Sequence, residues 1–276
     1  MDTRACQIKR FLIISLYLVI LFVSPSFAQD GQSDFSKTED TRDWGFSVTP
    51  YALLAANFTD VGGQALRQSF SDLTSITNAG FQIIAKARYK RLFVSFDGTF
   101  ATLGINEQQG PLQLDVEIRQ RIFDLKAGYR VYSNFDLKSN DVIDGWSIDI
   151  NVGGKYWNNN VNVAYAIIIN DEPILEDNVV LPQEWWDLMA GVSMKFVVSP
   201  RFLVGVAYNA GGFGIGNSSK FAYDFTYVNS FKVHKNILIN AGFRSFMYRR
   251  VDITDGEELT TKVTVLGPML GVSFML

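Results

Sequence analysis

The sequence has one cysteine, one histidine and seven prolines in 276 residues. The cysteine, Cys6, lies in the first ten residues, so the rest of the chain has neither a disulfide nor a reactive thiol. A single histidine, His234, cannot build a His/Cys metal cluster. It also leaves base- or triad-dependent chemistry with one candidate. There is no basic excess: 25 Lys and Arg stand against 28 Asp and Glu, a net charge of −3. That balance argues against a nucleic-acid partner, which wants a basic stripe. Beyond residue 23 no apolar run approaches the roughly 20 residues that a helix needs to span a bilayer.

The amino terminus is built differently from the rest. Arg4, Lys9 and Arg10 precede FLIISLYLVILFV (11–23), followed by Ser26 and Ala28 at small-residue positions. This is the n-region, h-region and cleavage site of a secretory signal, with cleavage expected after Ala28. The apolar run is short for a membrane anchor helix. Cys6 is removed with the signal and does not sit at the cleavage site, which argues against a lipoprotein. Residues 29–43, QDGQSDFSKTEDTRD, are polar and unpatterned and read as a flexible N-terminal segment.

From Trp44 the apolar residues recur with period two, the period of a pleated strand with two different faces. Trp44, Phe46 and Val48 oppose Gly45, Ser47, Thr49 and Tyr51; Phe81, Ile83 and Ala85 oppose Gln82, Lys86 and Arg88. Val94, Phe96 and Phe100 oppose Ser95, Asp97 and Thr99; Trp146, Ile148 and Ile150 oppose Ser147, Asp149 and Lys155. The segments starting near residues 186, 202, 221, 237 and 265 repeat the theme. A segment from about Leu112 to Val131 changes phase near Gln120, which predicts a bulge there. About ten strands follow from this reading, an even count that eight or twelve would also satisfy. Each is long enough for the roughly 9–11 residues of a tilted spanning strand.

Short turns are predicted at 89–91, 199–201 and 233–236, with a longer one over 133–144. Loops are predicted at 58–77, 104–111, 158–185, 213–218 and 250–260. SFSDL (69–73) suits a short capped helical turn. Short turns on one side and long loops on the other are the pattern of a transmembrane up-and-down β-barrel. A soluble sandwich or lipocalin-like carrier is the competing reading, with its apolar faces turned inward. All five tryptophans lie at predicted strand ends, Trp44 and Trp146 at one edge and Trp157, Trp185 and Trp186 at the other. This predicts an interfacial aromatic girdle and favours the membrane barrel, with residues 44–276 as one domain.

The glycine-rich stretch NAGGFGIGNSSKF (209–221) could suggest a phosphate cradle. A cradle of that kind joins a parallel strand to a helix. Here alternating strands stand on both sides, and the spacing is G-x-G-x-G. The stretch therefore reads as a hairpin tip.

The polar faces carry Asp97, Asp115, Glu117, Asp149, Asp187 and Asp224 together with Lys86, Arg88, Arg119, Lys155, Lys195 and Arg244. Interior salt bridges or a selectivity lining both satisfy this composition. A turn centred near His234 would put Asp224 directly opposite Arg244 as an interior ion pair, and the hairpin at Lys90 brings Lys86 and Arg88 near Ser95 and Asp97. Ten strands leave room for a narrow or occluded passage only, since water-filled porins use about 16–18. No catalytic, cofactor or metal residues are assigned, because His234 falls in a turn at the wrong end for an outer-leaflet enzyme. The acidic loop 158–185 is either a solvated rim or a surface for a partner or ligand.

The segments WGFSVTPY (44–51), SFSDL (69–73), AKARYKR (85–91), GGKYW (153–157), WWDLMAGV (185–192), GGFGIG (211–216) and GPMLGVSF (267–274) occur in an order and spacing that resembles small outer-membrane β-barrel proteins of the porin-family, OmpA/OmpW-like type. The resemblance implies the outer membrane as location and no established catalytic activity. It implies contact with membrane lipid and lipopolysaccharide, and recognition of the C-terminal strand by the barrel-assembly machinery. Two positions depart from the pattern. Asn209 stands where relatives often carry an acid before the glycines, and Leu276 follows Phe274 where the assembly signal usually ends in Phe.

Overall fold

The computed structural model describes residues 43–68, 77–109, 112–134, 145–169, 172–254 and 257–276. The signal at 1–28, the polar segment up to residue 42, the SFSDL turn and nearly all of the 133–144 turn lie outside these residues. The described chain forms twelve strand segments: β1 (Trp44–Leu53), β2 (Ala56–Val61), β3 (Gln64–Gln68), β4 (Thr77–Tyr89), β5 (Leu92–Gln109), β6 (Leu112–Ser133), β7 (Gly145–Ile169), β8 (Glu172–Ser199), β9 (Phe202–Gly211), β10 (Phe221–His234), β11 (Ile237–Thr254) and β12 (Glu257–Met275). Consecutive staves pair antiparallel, and β1 pairs with β12 to close the sheet.

Twelve segments make ten staves. β1 and β2 keep one register against β12, from Ser47 opposite Met275 to Val61 opposite Thr261, so they are one stave with a break at Leu54–Ala55. The break has a local cause. Leu54 donates its N–H to the Pro268 carbonyl at 2.9 Å, and proline has no N–H to return the bond. β3 and β4 pair with β2 and β1 respectively and form the next stave. The result is a closed, up-and-down, ten-stave antiparallel barrel, all β among the described residues.

The side-chain faces follow the alternation read from the sequence. Leu92, Val94, Leu125, Ile150, Val152, Leu188, Ile239 and Leu270 are exposed on the outside, whereas Asp124, Asp149, Lys155, Asp187 and Asp224 on the opposite parity are buried inside. This is an inside-out distribution, the opposite of a soluble core.

Three expectations are corrected by the ladder. First, β6 runs without a shift against β5 over its whole shared length, so no bulge occurs at Gln120; its shift against β7 lies at Arg130–Tyr132. The phase change instead marks a change of surroundings. The outward parity that carries Phe123, Leu125 and Tyr129 lower down carries Asp115, Glu117, Arg119 and Arg121 above. Those charges therefore stand on the outer wall rather than in the lumen. Arg121 pairs across to Asn158, and Asn158 to Glu184, so one polar row crosses three strands. On β7 the apolar outer face below that row runs from Trp146 to Tyr156. Ten steps of ~3.3 Å at a tilt of ~40° rise about 25 Å, the height of the apolar band of a membrane barrel.

Second, the predicted loops at 104–111, 158–185 and 250–260 are mostly strand. β5–β6, β7–β8 and β11–β12 continue past the polar row as hairpins. Period-two apolar alternation fades there because no bilayer demands it, while the backbone ladder persists. VNVAYAIII, which could extend a strand above the membrane, does so within β7.

Third, Arg244 lies opposite Thr226, and Asp224 lies opposite Phe246. The turn centres between Lys235 and Asn236 rather than at His234, and a one-residue shift between Lys232 and His234 follows it, so the ladder settles two residues from the expected pairing. A shift of two keeps every side chain on its face.

Candidate functional site

Chemistry-bearing side chains converge in the lumen, where the inward parity of every stave meets. Arg244 on β11 is the hub. Its guanidinium reaches Asp224 on β10 through Nη2 at 2.7 Å and Nε at 3.2 Å, a bidentate grip. The same Nη2 lies 2.7 Å from Asp97 on β5. Its Nη1 donates to the Tyr51 hydroxyl on β1, and Tyr51 donates to Asp97 at 2.9 Å. From β7, Lys155 reaches Asp224 at 2.8 Å, with its ammonium 4.6 Å from the centre of the Trp157 ring. Five staves are thus tied across the barrel by a single network. A second cluster lies toward the short-turn end: Asp149 accepts from Arg130 at 2.9 Å and lies 3.5 Å from Lys86. Lys126 and Asp124 lie 2.9 Å apart on β6.

An apolar plug sits above this charged layer, toward the long hairpins. Ile122, Trp157, Trp185, Met189, Ala222, Phe246 and Tyr248 form one buried cluster. Trp157 and Trp185 stack with ring centres 5.8 Å apart, and Tyr248 lies 5.0 Å from each. The girdle assignment of Trp157 and Trp185 is therefore corrected. They are 0% and 3% exposed and cannot touch lipid, because their odd parity on β7 and β8 turns them inward. Trp44, Trp146 and Trp186 do face outward. Trp44 packs on Tyr89 at 4.6 Å and Trp146 on Tyr132 at 4.4 Å at the short-turn end; Trp186 packs on Tyr156 at 4.9 Å at the other.

The glycine-rich stretch closes onto the plug. Gly212, Phe213, Gly214 and Gly216 all have positive φ. This tight path delivers Ser219, fully buried, to Asp187: the Ser219 N–H donates to one carboxylate oxygen at 2.7 Å and its hydroxyl to the other at 2.8 Å. Trp157 donates its indole N–H to Asp187 at 2.8 Å, and Trp185 donates to the Ser219 hydroxyl at 3.0 Å. The stretch is a hairpin tip between β9 and β10, and it is a clamp rather than a phosphate cradle.

Among the sequence-proposed lumen residues, the structure brings together Asp224, Arg244, Asp97 and Lys155 in one network, and Lys86 with Asp149 in another. Lys86 stands opposite Ser95, whereas Asp97 turns across the lumen to Arg244 instead of to Arg88. Arg88 donates to the Lys90 carbonyl at 3.1 Å. Sequence reading missed Tyr51, Asp124, Lys126, Arg130 and Ser219. The three on β6 share the parity of Ile122 and were legible once the supposed bulge is removed. Ser219 had no signal, because its burial depends on the path of the glycine turn.

Below the Arg244 network and beside the Asp149 cluster lies a cavity of about 310 Å³ at the short-turn end. Its wall joins apolar Leu203, Leu238 and Met269 to the cations Lys86, Arg88 and Lys195.

Apolar outside, charged and plugged inside, closed on itself: these features define a membrane-type up-and-down β-barrel. The chain is similar to small outer-membrane β-barrel proteins in architecture. It aligns with the outer membrane protease OmpT from Escherichia coli at 8% identity, covering 86% of this chain and 98% of that one, with a TM-score of 0.45. It aligns with Ail, the attachment invasion locus protein of Yersinia pestis, in complex with the heparin analogue sucrose octasulfate, at 12% identity over 85% and 100% of the two chains, TM-score 0.37. It also aligns with OprG from Pseudomonas aeruginosa at 10% identity over 90% and 99%, TM-score 0.29. Identities and scores this low carry no activity across. No protein-family model matches the chain, and no curated relative matches it by sequence.

Proposed function

We propose that this chain is an integral outer-membrane β-barrel, exported on residues 1–28 as a cleaved signal, whose role is structural rather than conducting or catalytic. The observation that carries the reading is the layer built on Arg244. It ties β1, β5, β7, β10 and β11 across the lumen and lies beneath a buried aromatic plug. A solute path would have to break several buried ion pairs and displace two stacked indoles. The outer rim of Trp44, Trp146 and Trp186 supports a lipid contact on both edges. Phe274 and Leu276, on the outward parity of the C-terminal stave, suit recognition by an assembly machinery. His234 stands exposed at the short-turn end of β10, away from the buried carboxylates, which supports a non-catalytic role.

The test is planar-bilayer recording of the refolded chain. The intact barrel is expected to give no discrete conductance steps. A variant with Asp97, Lys155, Asp224 and Arg244 changed to Ser and Trp157 and Trp185 changed to Ala removes the charged layer and the stacked indoles together and is expected to give steps. Steady steps from the intact chain would overturn the occluded reading.

One observation favours a second reading, a binding barrel acting through its outer hairpins. β7 and β8 span 25 and 28 residues, far beyond the roughly 9–11 a membrane requires, and so raise a two-stranded arm above the polar row.

A further inference from the structure

On the outer wall, the outward parity of β11 runs from Ile237 to Met247 with Ser245 as its one polar member. Ten steps at a tilt of ~40° rise about 25 Å, the height of the apolar band, so the next outward position stands at its upper edge. That position is Arg249, and the residue directly opposite on β12 is Lys262. Both are exposed. The Arg249 carbonyl accepts from the Lys220 N–H, toward β10; the Thr260 carbonyl accepts from the Gly62 N–H, toward β2. Lys262 shares the parity of Thr260, so Arg249 and Lys262 turn their backbone groups away from each other. They form the closer of the two kinds of antiparallel pair, with Cα atoms about 4.5 Å apart. Like charges placed so repel and destabilise the pair. Among the described residues neither cation forms an ion pair. The carboxylate in the same row is Asp60, opposite Lys262 on β2, and it accepts from the Gly63 N–H at 3.0 Å. One outward step below, Tyr223, Met247, Thr264 and Phe58 stand in register across β10, β11, β12 and β2, an apolar pad broken only by Thr264.

We propose that Arg249 and Lys262 bind the phosphomonoester headgroup of an anionic lipid whose acyl chains lie on Phe58, Tyr223 and Met247. A phosphate monoester carries a charge of about −1.5 to −2 at pH 7, which matches two cations, whereas a diester carries one negative charge. The Arg249 fork suits two of its oxygens, and Lys262 serves a third as a point charge. The bound anion offsets the repulsion that the bare pair suffers. The inference rests on the membrane-barrel reading, because the apolar band fixes the height of the pair.

The test is native mass spectrometry of the refolded full chain in a neutral detergent, with phosphatidic acid, phosphatidylglycerol and phosphatidylcholine as probes. One phosphatidic acid is expected to be retained per chain, at least about tenfold more tightly than phosphatidylcholine, with phosphatidylglycerol between them. Arg249→Gln and Lys262→Gln are each expected to weaken it by about tenfold while heat-modifiable mobility stays intact. Arg121→Gln, which removes an exposed cation from the polar row on another part of the wall, is expected to change nothing. Lys262→Gln is also expected to raise the urea midpoint in neutral detergent alone and to lower it when phosphatidic acid is present, a reversal that a purely structural cation does not give. Equal retention of phosphatidic acid and phosphatidylcholine, or an equal loss from Arg121→Gln and Arg249→Gln, would overturn the proposal. Displacement of the lipid by excess inorganic phosphate would overturn the lipid as the source of the anion. The lipid comparison needs no variant, so a misfolded mutant does not spare it. A chain that fails to float with liposomes removes the membrane-barrel reading itself, whereas a floating chain that retains no phosphatidic acid removes this site alone.

Discussion

Arg244 holds two carboxylates and a phenol at once, and it is 6% exposed. Replacing one partner in such a network leaves charges buried without compensation, at a cost of about 3–5 kcal/mol. Arg244→Met is therefore expected to lower the urea midpoint of the refolded barrel sharply, because it takes the guanidinium away from both Asp97 and Asp224 and leaves Asp224 to Lys155. A shift within the noise of the measurement would mean that the network is solvated. The glycine clamp gives a second residue-scale expectation. A Cβ on Gly212 would lie 2.4 Å from the Ser219 carbonyl oxygen, at a φ of +85°. Gly212→Ala should then pull Ser219 off Asp187, open the plug and red-shift the emission of Trp157 and Trp185. Gly216 also has positive φ, yet a Cβ there meets nothing within 4 Å. Gly216→Ala should cost only the backbone term, about 1–2 kcal/mol, with emission unchanged. Equal emission shifts from both variants would separate the clamp from its contacts.

At the scale of the element, alternation was legible wherever a strand lies between lipid and lumen. In β7 the outward Trp146, Ile148, Ile150 and Val152 and the inward Ser147, Asp149 and Lys155 could be assigned by counting. The same rule was misapplied to the tryptophans. Adjacent Trp185 and Trp186 must point to opposite faces of β8, so they could never share a girdle. Above the polar row at Arg121, Asn158 and Glu184 the rule loses its signal, because both faces of a hairpin in water can be polar. That is why 158–185 reads as a loop and folds as strand. A hairpin arm outside the bilayer does not hold the barrel closed. Replacing residues 161–180 with a short turn is expected to leave heat-modifiable mobility and refolding yield intact. Loss of the folded band would show that the arm is part of the barrel's closure.

For the whole molecule, the balance of two layers decides the behaviour. The ion-pair layer alone would be wet and penetrable at its edges; the aromatic plug alone would leave charged residues facing a void. Stacked along one axis, they occlude the lumen from the long-hairpin side and leave the cavity on the other. The outer surface exposes Leu92, Trp186, Val198 and Leu270 among many large apolar side chains. The refolded chain is accordingly expected to float with liposomes on a density gradient and to precipitate when detergent is diluted away. Recovery in the soluble fraction without detergent or lipid would contradict the orientation of its faces.

The amino-acid sequence by itself determined the strand class, the faces and the inside-out polarity, because period two is a local property of the pleat and every residue carries it independently. It also made an interior ion pair between Asp224 and Arg244 a reasonable expectation, since both residues lie on polar parity in adjacent strands. Only the tertiary structure decided what those charges meet. Asp97 reaches Arg244, Lys155 reaches Asp224 and Tyr51 joins them across the lumen, and such distances exist only once ten staves close at a given tilt and register. The bulge at Lys232–His234, the break beside Pro268 and the inward turn of the glycine tip set that closure, and each is a small backbone event whose consequences appear on the far wall of the barrel.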